Sequence, residues 1–396
     1  MKLLQAMVVA VSIFFTYLGQ PILAQQSNEK VKIAFLGDQE MRAESHAVLQ
    51  AIREEGVQLV VIVGDFDYHD DPAGYTAMLA QELTQYNIPY IATIGNHDLT
   101  KWPEYSKKFQ EQLARFPEVK CEGEFGIESV CTYKGAAIIL SGIGTYSNGH
   151  TNQTYMTALQ NRLVAQKDTV WKMCVWHKNH STMQLGEKKD EVPISAYDLC
   201  REQGALIITA HEHTYHRTRT LKSMANQQVD PEFPDAQNVM VRPGSSFVTV
   251  TGLGGSSIRH QARCLPATFP YGCNNVWGSV LTTNQKATYG AFIIEFRANN
   301  DPRKAEGYFR SISKKPELRI IDSIHIRSFS GAVPADKLPG DIDANNVVDI
   351  FDYNIVIQQF GQTGAAGFIP ADIVQDGVIN IFDYNKVIEN FGKKAS

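Results

Sequence analysis

Five apolar runs of this chain each end in a residue able to bind a metal ion. Asp38 follows residues 31–36, Asp65 follows 57–63, and Asn96 follows 90–94. His177 follows 170–175, while the pair His211 and His213 follows 206–209. Tyr68 stands three residues beyond Asp65. Carboxylate, phenolate, amide oxygen and imidazole form a hard-to-borderline donor set without thiolate. If Asp65 bridges two ions, one site takes Asp38, Asp65, Tyr68 and one histidine of the 211/213 pair. The other takes Asp65, Asn96, His177 and the remaining histidine. Three anionic donors gather in the first site when Tyr68 is ionised, which favours a trivalent ion beside a divalent one, for example Fe(III) with Zn, Mn or Fe(II). Two ions roughly 3.5–4 Å apart clamp the attacking and leaving oxygens of a displacement at phosphorus, and bound water ionises near neutrality. Metal-bound hydroxide is then the expected nucleophile. His97 is expected to donate to a phosphate oxygen with Asp98 orienting it, and His180 or His216 to protonate the leaving group. Singly, Asp38 or Asp65 reads as a helix cap and Tyr68 as a packed aromatic. Jointly the pattern resists such readings.

The elements that must carry these residues are legible as alternating strands and helices. Strands are predicted over 31–36, 57–63, 90–94, 136–140, 170–175 and 206–209. Helices are predicted over 43–55, 75–86, 103–115, 155–165 and 194–203. Continuous β-branched runs of this kind suit strands buried on both faces, and ligands of such sheets gather at the strands' carboxyl ends. Beyond residue 213 the apolar runs at 239–241, 247–251, 289–296 and 318–326 lack intervening helices and predict an antiparallel portion. A hairpin is expected around Cys121 and Cys131. Gly252–Gly255 reads as a turn without the spacing of a nucleotide-binding loop.

The chain's 396 residues leave room for one large domain and a small one. A net charge of −5 predicts no nucleic-acid-binding surface. Residues 1–24 resemble a secretory signal cut after Ala24, with an uncleaved membrane anchor as the alternative. A secreted or cell-surface protein is therefore expected. Six cysteines fit an oxidising compartment. They allow fifteen pairings, and close spacing favours Cys121–Cys131 and Cys264–Cys273, leaving Cys174 with Cys200. The expected division is a signal at 1–24, a catalytic domain at 25–327, a linker at 328–339, and a small module at 340–396.

That last segment is duplicated: Asp349-Ile350-Phe351-Asp352-Tyr353-Asn354 recurs as Asn380-Ile381-Phe382-Asp383-Tyr384-Asn385. It holds eight acidic groups against three lysines, so it carries the whole net charge of the chain. Asp341, Asp343, Asn345, Val347 (through its carbonyl), Asp349 and Asp352 stand at the ligand positions of an EF-hand-like Ca²⁺ loop. Asp372, Asp376, Val378, Asn380 and Asp383 form a second loop, in which Val374 occupies a ligand position and predicts weaker binding.

In order, Gly37-Asp38, Gly64-Asp65, Gly95-Asn96-His97-Asp98, His177 and His211-Glu212-His213 resemble the calcineurin-like metallophosphoesterase family, over about residues 30–327. Within it, Gly64-Asp65-Phe66-Asp67-Tyr68, residues 211–217 and residues 248–255 resemble the purple acid phosphatase branch, whose tyrosine binds Fe(III). The resemblance implies an α/β two-sheet β-sandwich flanked by helices and the hydrolysis of phosphomonoesters or phosphodiesters. It places His213 in the first site and His211 in the second. Three departures stand out: Glu40 stands where the branch usually has a glycine and is a rival ligand, Ala210 replaces a glycine, and the spacing from His177 to His180 differs from that of the branch. The duplicated segment resembles a dockerin, an α-helical EF-hand-like domain that implies a cohesin-like scaffold partner. The resulting expectation is a secreted acid phosphatase-like enzyme acting on a phosphate ester. The alternatives are a phosphodiesterase or nucleotidase, or a non-catalytic surface binding protein.

Overall fold

The computed structural model describes residues 30–298, 301–331, 338–343, 347–364, 369–374 and 376–394. The signal or anchor segment, half of the linker (332–337) and Asn345 lie outside these residues. No helix among the described residues is long and apolar enough to cross a membrane.

Three parallel strands open the fold: β1 (Val31–Leu36), β2 (Leu59–Val63) and β3 (Tyr90–Thr93). Their connections are α1 (Ala43–Glu54) and α2 (Pro72–Glu82). The second helix starts earlier than periodicity predicts, because Asp71 caps it through the Gly74 N–H (2.9 Å) and Pro72 takes the first turn. It also ends earlier, with a separate 3₁₀ turn at Thr84–Tyr86. After α3 (Trp102–Leu113) comes a hairpin of β4 (Lys120–Glu124) and β5 (Glu128–Tyr133), with Cys121 opposite Cys131. β6 (Ala136–Ser141), α4 (Asn152–Ala165), β7 (Trp171–Trp176), α5 (Ile194–Glu202) and β8 (Leu206–Thr209) complete the alternating part.

The remaining strands pair mostly antiparallel, as expected, but with two parallel pairings among them. β9 (Tyr215–Thr218) and β13 (Val248–Thr251) are antiparallel to each other, but β13 runs parallel to β8. β12 (Asn238–Val241) runs parallel to β17 (Ile320–Ser328). A short β10–β11 pair (Leu221–Ser223, Gln228–Val229), β14 (Trp277–Leu281), β15 (Gly290–Phe296) and β16 (Lys304–Ser311) fill the rest. One sheet has the order β12-β17-β16-β15-β1-β2-β3 and the other β14-β9-β13-β8-β7-β6-β5-β4. They pack face to face: the Trp171 ring meets Phe296 at 5.1 Å, and Tyr215 meets Phe309 at 4.6 Å. Strands β2, β6 and β8 are buried along their whole length, as their largely apolar sequences require. Both spacing-favoured disulfides form, Cys121–Cys131 and Cys264–Cys273, and the remaining pair joins Cys174 to Cys200.

Toward the C-terminus, α6 (Ile350–Gln359) and α7 (Ile381–Asn390) enclose a separate small core of Val348, Val356, Ala371, Ile379 and Val387. The repeats interlock. Val348 exchanges backbone hydrogen bonds with Lys393 and Gly392 (3.0 and 2.7 Å), and Ile379 does so with Gln362 and Gly361 (3.0 and 2.8 Å).

Candidate metal centre

The carboxyl ends of β1, β2 and β3 from one sheet and of β7 and β8 from the other converge on one point. Asp38, Asp65, Tyr68 and His211 all adopt positive φ, between 54° and 66°. Side chains with a Cβ adopt this region at a cost that is tolerated chiefly at functional sites. Gly95 allows the β2 and β3 ends to touch, since a Cβ there would lie 2.1 Å from the Asp65 amide nitrogen. Ala210 is accommodated because residue 37 is glycine: a Cβ at 37 would come within 2.6 Å of the Ala210 methyl.

Two groups of donors share Asp65. On one side the Tyr68 hydroxyl lies 3.2 Å from Asp38 Oδ1, 3.3 Å from Asp65 Oδ2 and 3.1 Å from His213 Nε2. His213 Nε2 lies 3.3 Å from Asp38 Oδ1. On the other side His177 Nε2 lies 3.1 Å from the same Asp65 Oδ2 and 3.1 Å from His211 Nδ1. Asp65, His177 and His211 form one compact metal-capable cluster. Asn96 Oδ1, just past the end of β3, is buried with no hydrogen-bond partner among the described residues.

Each imidazole is aimed by its far nitrogen. His177 Nδ1 bonds the Val63 carbonyl (2.7 Å), His213 Nδ1 bonds Ser257 Oγ (2.6 Å), and His211 Nε2 bonds Glu191 (2.8 Å). A proton on His177 Nδ1 leaves its Nε2 lone pair directed inward, the arrangement that metal-binding histidines use. Donors about 2.0–2.2 Å from a common ion at ordinary angles stand roughly 2.9–3.5 Å apart. The observed spacings and the orphaned Asn96 oxygen therefore fit two ions sharing Asp65.

Electrostatics in the bare protein agree with a site built for positive charge. Burial would raise the Asp38 and Asp65 carboxyls, yet His213 beside the first and His177 beside the second hold both below the usual carboxylate range. Burial would lower His177, but Asp65 more than offsets this and lifts it to about 9. Burial takes His211 down to about 4 despite Glu191. Burial together with Asp38 and Asp65 pushes the Tyr68 hydroxyl far above its ordinary value.

Several expected roles change. The Asp98 carboxylate accepts the backbone N–H groups of Asp65 (2.9 Å), Phe66 (2.9 Å) and Gly95 (2.7 Å), so it braces two ligand loops rather than the His97 ring. Burial and the Asp65 carboxylate push it up to about 8. His97 is exposed, with its ring 4.4 Å from that of Tyr68 and its N–H on Asp65 Oδ1 at 2.9 Å. His180 bonds Thr182 (2.8 Å) and faces Asp190 (3.4 Å). His216 is fully buried on β9 against Trp277, with Nδ1 on Thr214 (2.9 Å), and burial lowers it to about 3. Glu40 is held by Arg42 and by Ser256 Oγ (2.9 Å), leaving Tyr68 beside the cluster.

Motif spacing missed Glu191, Ser257 and Asn179. Asn179 ties Thr209 Oγ1 to the Ala210 carbonyl, both at 2.6 Å. It stands two residues after His177, which is its only sequence signal. A larger open groove of about 740 Å³ between α3 and the β4–β5 hairpin contains none of these donors.

In the C-terminal repeats, carboxylates of Asp341, Asp343 and Asp352 converge, and so do those of Asp372, Asp376 and Asp383. Asp349 and Asn380 cap their helices through the Phe351 and Phe382 N–H groups (2.8 and 2.7 Å). Val347 bridges to Lys394 and Val378 to Thr363. Asn380 Nδ2 reaches Asp376 at 3.0 Å.

Residues 31–215 match the family model described as calcineurin-like phosphoesterase. Among solved structures, a purple acid phosphatase from yellow lupin (Lupinus luteus) seeds is similar at 14% identity and TM-score 0.53, over 79% of this chain and 58% of that one. The chain thus spans 58% of that enzyme's length. The anchor of the Plasmodium inner membrane complex is similar at 14% identity and TM-score 0.48, over 76% and 89% of the two chains. PhoD is similar at 10% identity and TM-score 0.48, over 91% and 77%. At 14% identity the likeness to the lupin enzyme is one of fold. No curated protein matches the chain.

Proposed function

We propose that the protein is an exported phosphoesterase that hydrolyses phosphomonoesters at a dinuclear metal centre and carries a calcium-binding, dockerin-like module. The observation that carries the reading is Asp65 Oδ2, which faces the Tyr68 hydroxyl on one side and His177 Nε2 on the other. Asp38, Asp65, Tyr68 and His213 would hold one ion, with iron as the expected metal. Asp65, Asn96, His177 and His211 would hold the second, Zn, Mn or Fe. When bound, such ions lower the pKa of water and neutralise charge on a phosphoryl group.

The chain's own residues do the rest. Val63, Ser257 and Glu191 orient the three imidazoles. Asp98 keeps the Asp65 and Gly95 turns in register. His97, exposed beside Tyr68, donates to a phosphoryl oxygen. Export is supported by three disulfides, which persist in oxidising compartments. Calcium binding is supported by the two carboxylate clusters of the repeat. The exposed pairs Ile350 with Phe351 and Ile381 with Phe382 offer equivalent surfaces to a cohesin-like scaffold.

The test is the visible spectrum of iron-loaded protein beside a Tyr68→Phe variant, with turnover of mono- and bis-aryl phosphates. A charge-transfer band lost in the variant, with faster monoester turnover, supports the reading. Absence of turnover with Fe, Zn or Mn refutes it, and preference for the diester moves the enzyme to the phosphodiesterase class.

A further inference from the structure

A pocket of about 470 Å³ adjoins the metal centre, with Gly186, Lys188, Glu212, Arg259 and His260 in its lining. Its size suits a small organic group. It touches the centre through the backbone of two candidate ligands. Lys188 Nζ donates to the His211 carbonyl at 2.6 Å, and the Arg259 N–H donates to the His213 carbonyl at 2.9 Å.

Glu212, between those histidines, is 1% exposed, yet its Oε2 has no hydrogen-bond partner among the described residues. Arg259 Nη1 stands 3.6 Å away, an ion pair beyond hydrogen-bonding reach. The chain leaves room for this carboxylate, because a Cβ on residue 186 would lie 2.1 to 2.4 Å from it. A buried acceptor with an unmade bond is costly, and a ligand donor would supply the bond.

The charges around the pocket select the donor. An ammonium group would satisfy Glu212 but meet Lys188 and Arg259 at like charge. A phosphate or carboxylate would satisfy those cations but meet Glu212 at like charge. A hydroxyl both donates and accepts, so it bonds Glu212 and the cations together. We propose that this pocket is a polyol subsite, holding the hydroxyl-bearing leaving group of a sugar or polyol monophosphate whose phosphoryl group occupies the metal centre. The inference rests on the phosphomonoesterase reading and adds the substrate class.

The experiment measures kcat/KM for glucose 6-phosphate and for 4-nitrophenyl phosphate on the metal-reconstituted full chain, with Glu212→Gln and Arg259→Ala beside it. The sugar-to-aryl ratio should fall roughly tenfold or more in Glu212→Gln, the loss expected for a charged hydrogen bond, and should also fall in Arg259→Ala. Ratios unchanged in both variants, with the aryl phosphate still hydrolysed, would overturn the subsite and leave the phosphatase reading intact. If Glu212→Gln does not fold, the half-exposed Arg259 decides alone. If the wild-type protein hydrolyses neither ester, calorimetry decides. Tighter binding of glucose 6-phosphate than phenyl phosphate, weakened by Arg259→Ala, sustains the pocket while sinking the hydrolase. Equal binding sinks the pocket.

Discussion

Replacing Asp98 with asparagine tests how the metal centre is held before any ion arrives. The carboxylate is 1% exposed and accepts three backbone N–H groups, two on Oδ2 and one on Oδ1. Asparagine keeps one carbonyl oxygen and turns a donor toward whichever N–H group lost its acceptor. At least one buried N–H is then orphaned at a cost of about 1–3 kcal/mol, and above pH about 8, where the carboxyl is ionised, the surviving bonds also lose charge assistance. The sum is roughly 2–4 kcal/mol, a large part of the ~5–15 kcal/mol by which a domain is stable. Urea unfolding of the metal-free protein should show a lower midpoint at unchanged slope. Amide exchange should quicken at Asp65, Phe66 or Gly95 beyond the global change. Metal affinity should fall as well, because these amides fix where Asp65 and Asn96 stand. A stability change under about 0.5 kcal/mol, with protection intact at all three amides, would refute the bracing role.

Three further outcomes are expected. Phe66→Ala should destabilise by about 3–5 kcal/mol in thermal unfolding, since its ring packs on Tyr75, Tyr105 and Phe109 at 5.0–5.3 Å; a loss below half of that would mean the cluster relaxes around the gap. Lys172 is 3% exposed on β7, and burial holds its ammonium below the ordinary 10.5. A depressed lysine penalises the fold at pH values below its folded pKa, and the penalty fades as pH rises through the unfolded value. Lys172→Met should therefore gain roughly 1–2 kcal/mol at pH 7 and less near pH 10; a loss at pH 7 would contradict this. Calcium titration by calorimetry should show the loop of Asp341, Asp343 and Asp352 binding more tightly than that of Asp372, Asp376 and Asp383. Val374→Asp should narrow the difference, and EGTA should lower the module's melting temperature; no calcium heat would refute the loops.

The donor set was legible in the chain because it rests on local properties. A β-branched run such as 59–63 makes a strand whatever surrounds it, and a ligand just past its end is delivered to the sheet's rim. The short cysteine spacings were equally local. The strand β16 was not legible: Gly307 and its charged residues hide an alternation that only pairing with β15 and β17 exposes. The same limit explains the revised roles. His216 follows a histidine-rich motif, but register places it under Trp277. Glu40 looked like a ligand until its neighbour Arg42 and the distant Ser256 claimed it.

What the sequence determined by itself was therefore which atoms could bind metal and at which strand ends they stand. Only the tertiary structure decided which way they face. His177 is aimed by a carbonyl 114 residues away, and the Asp38 carboxylate meets the His211 N–H across 173 residues. The physical reason is that a strand end is set by neighbours in sequence. A side chain's direction is set by hydrogen bonds formed only once both sheets have packed.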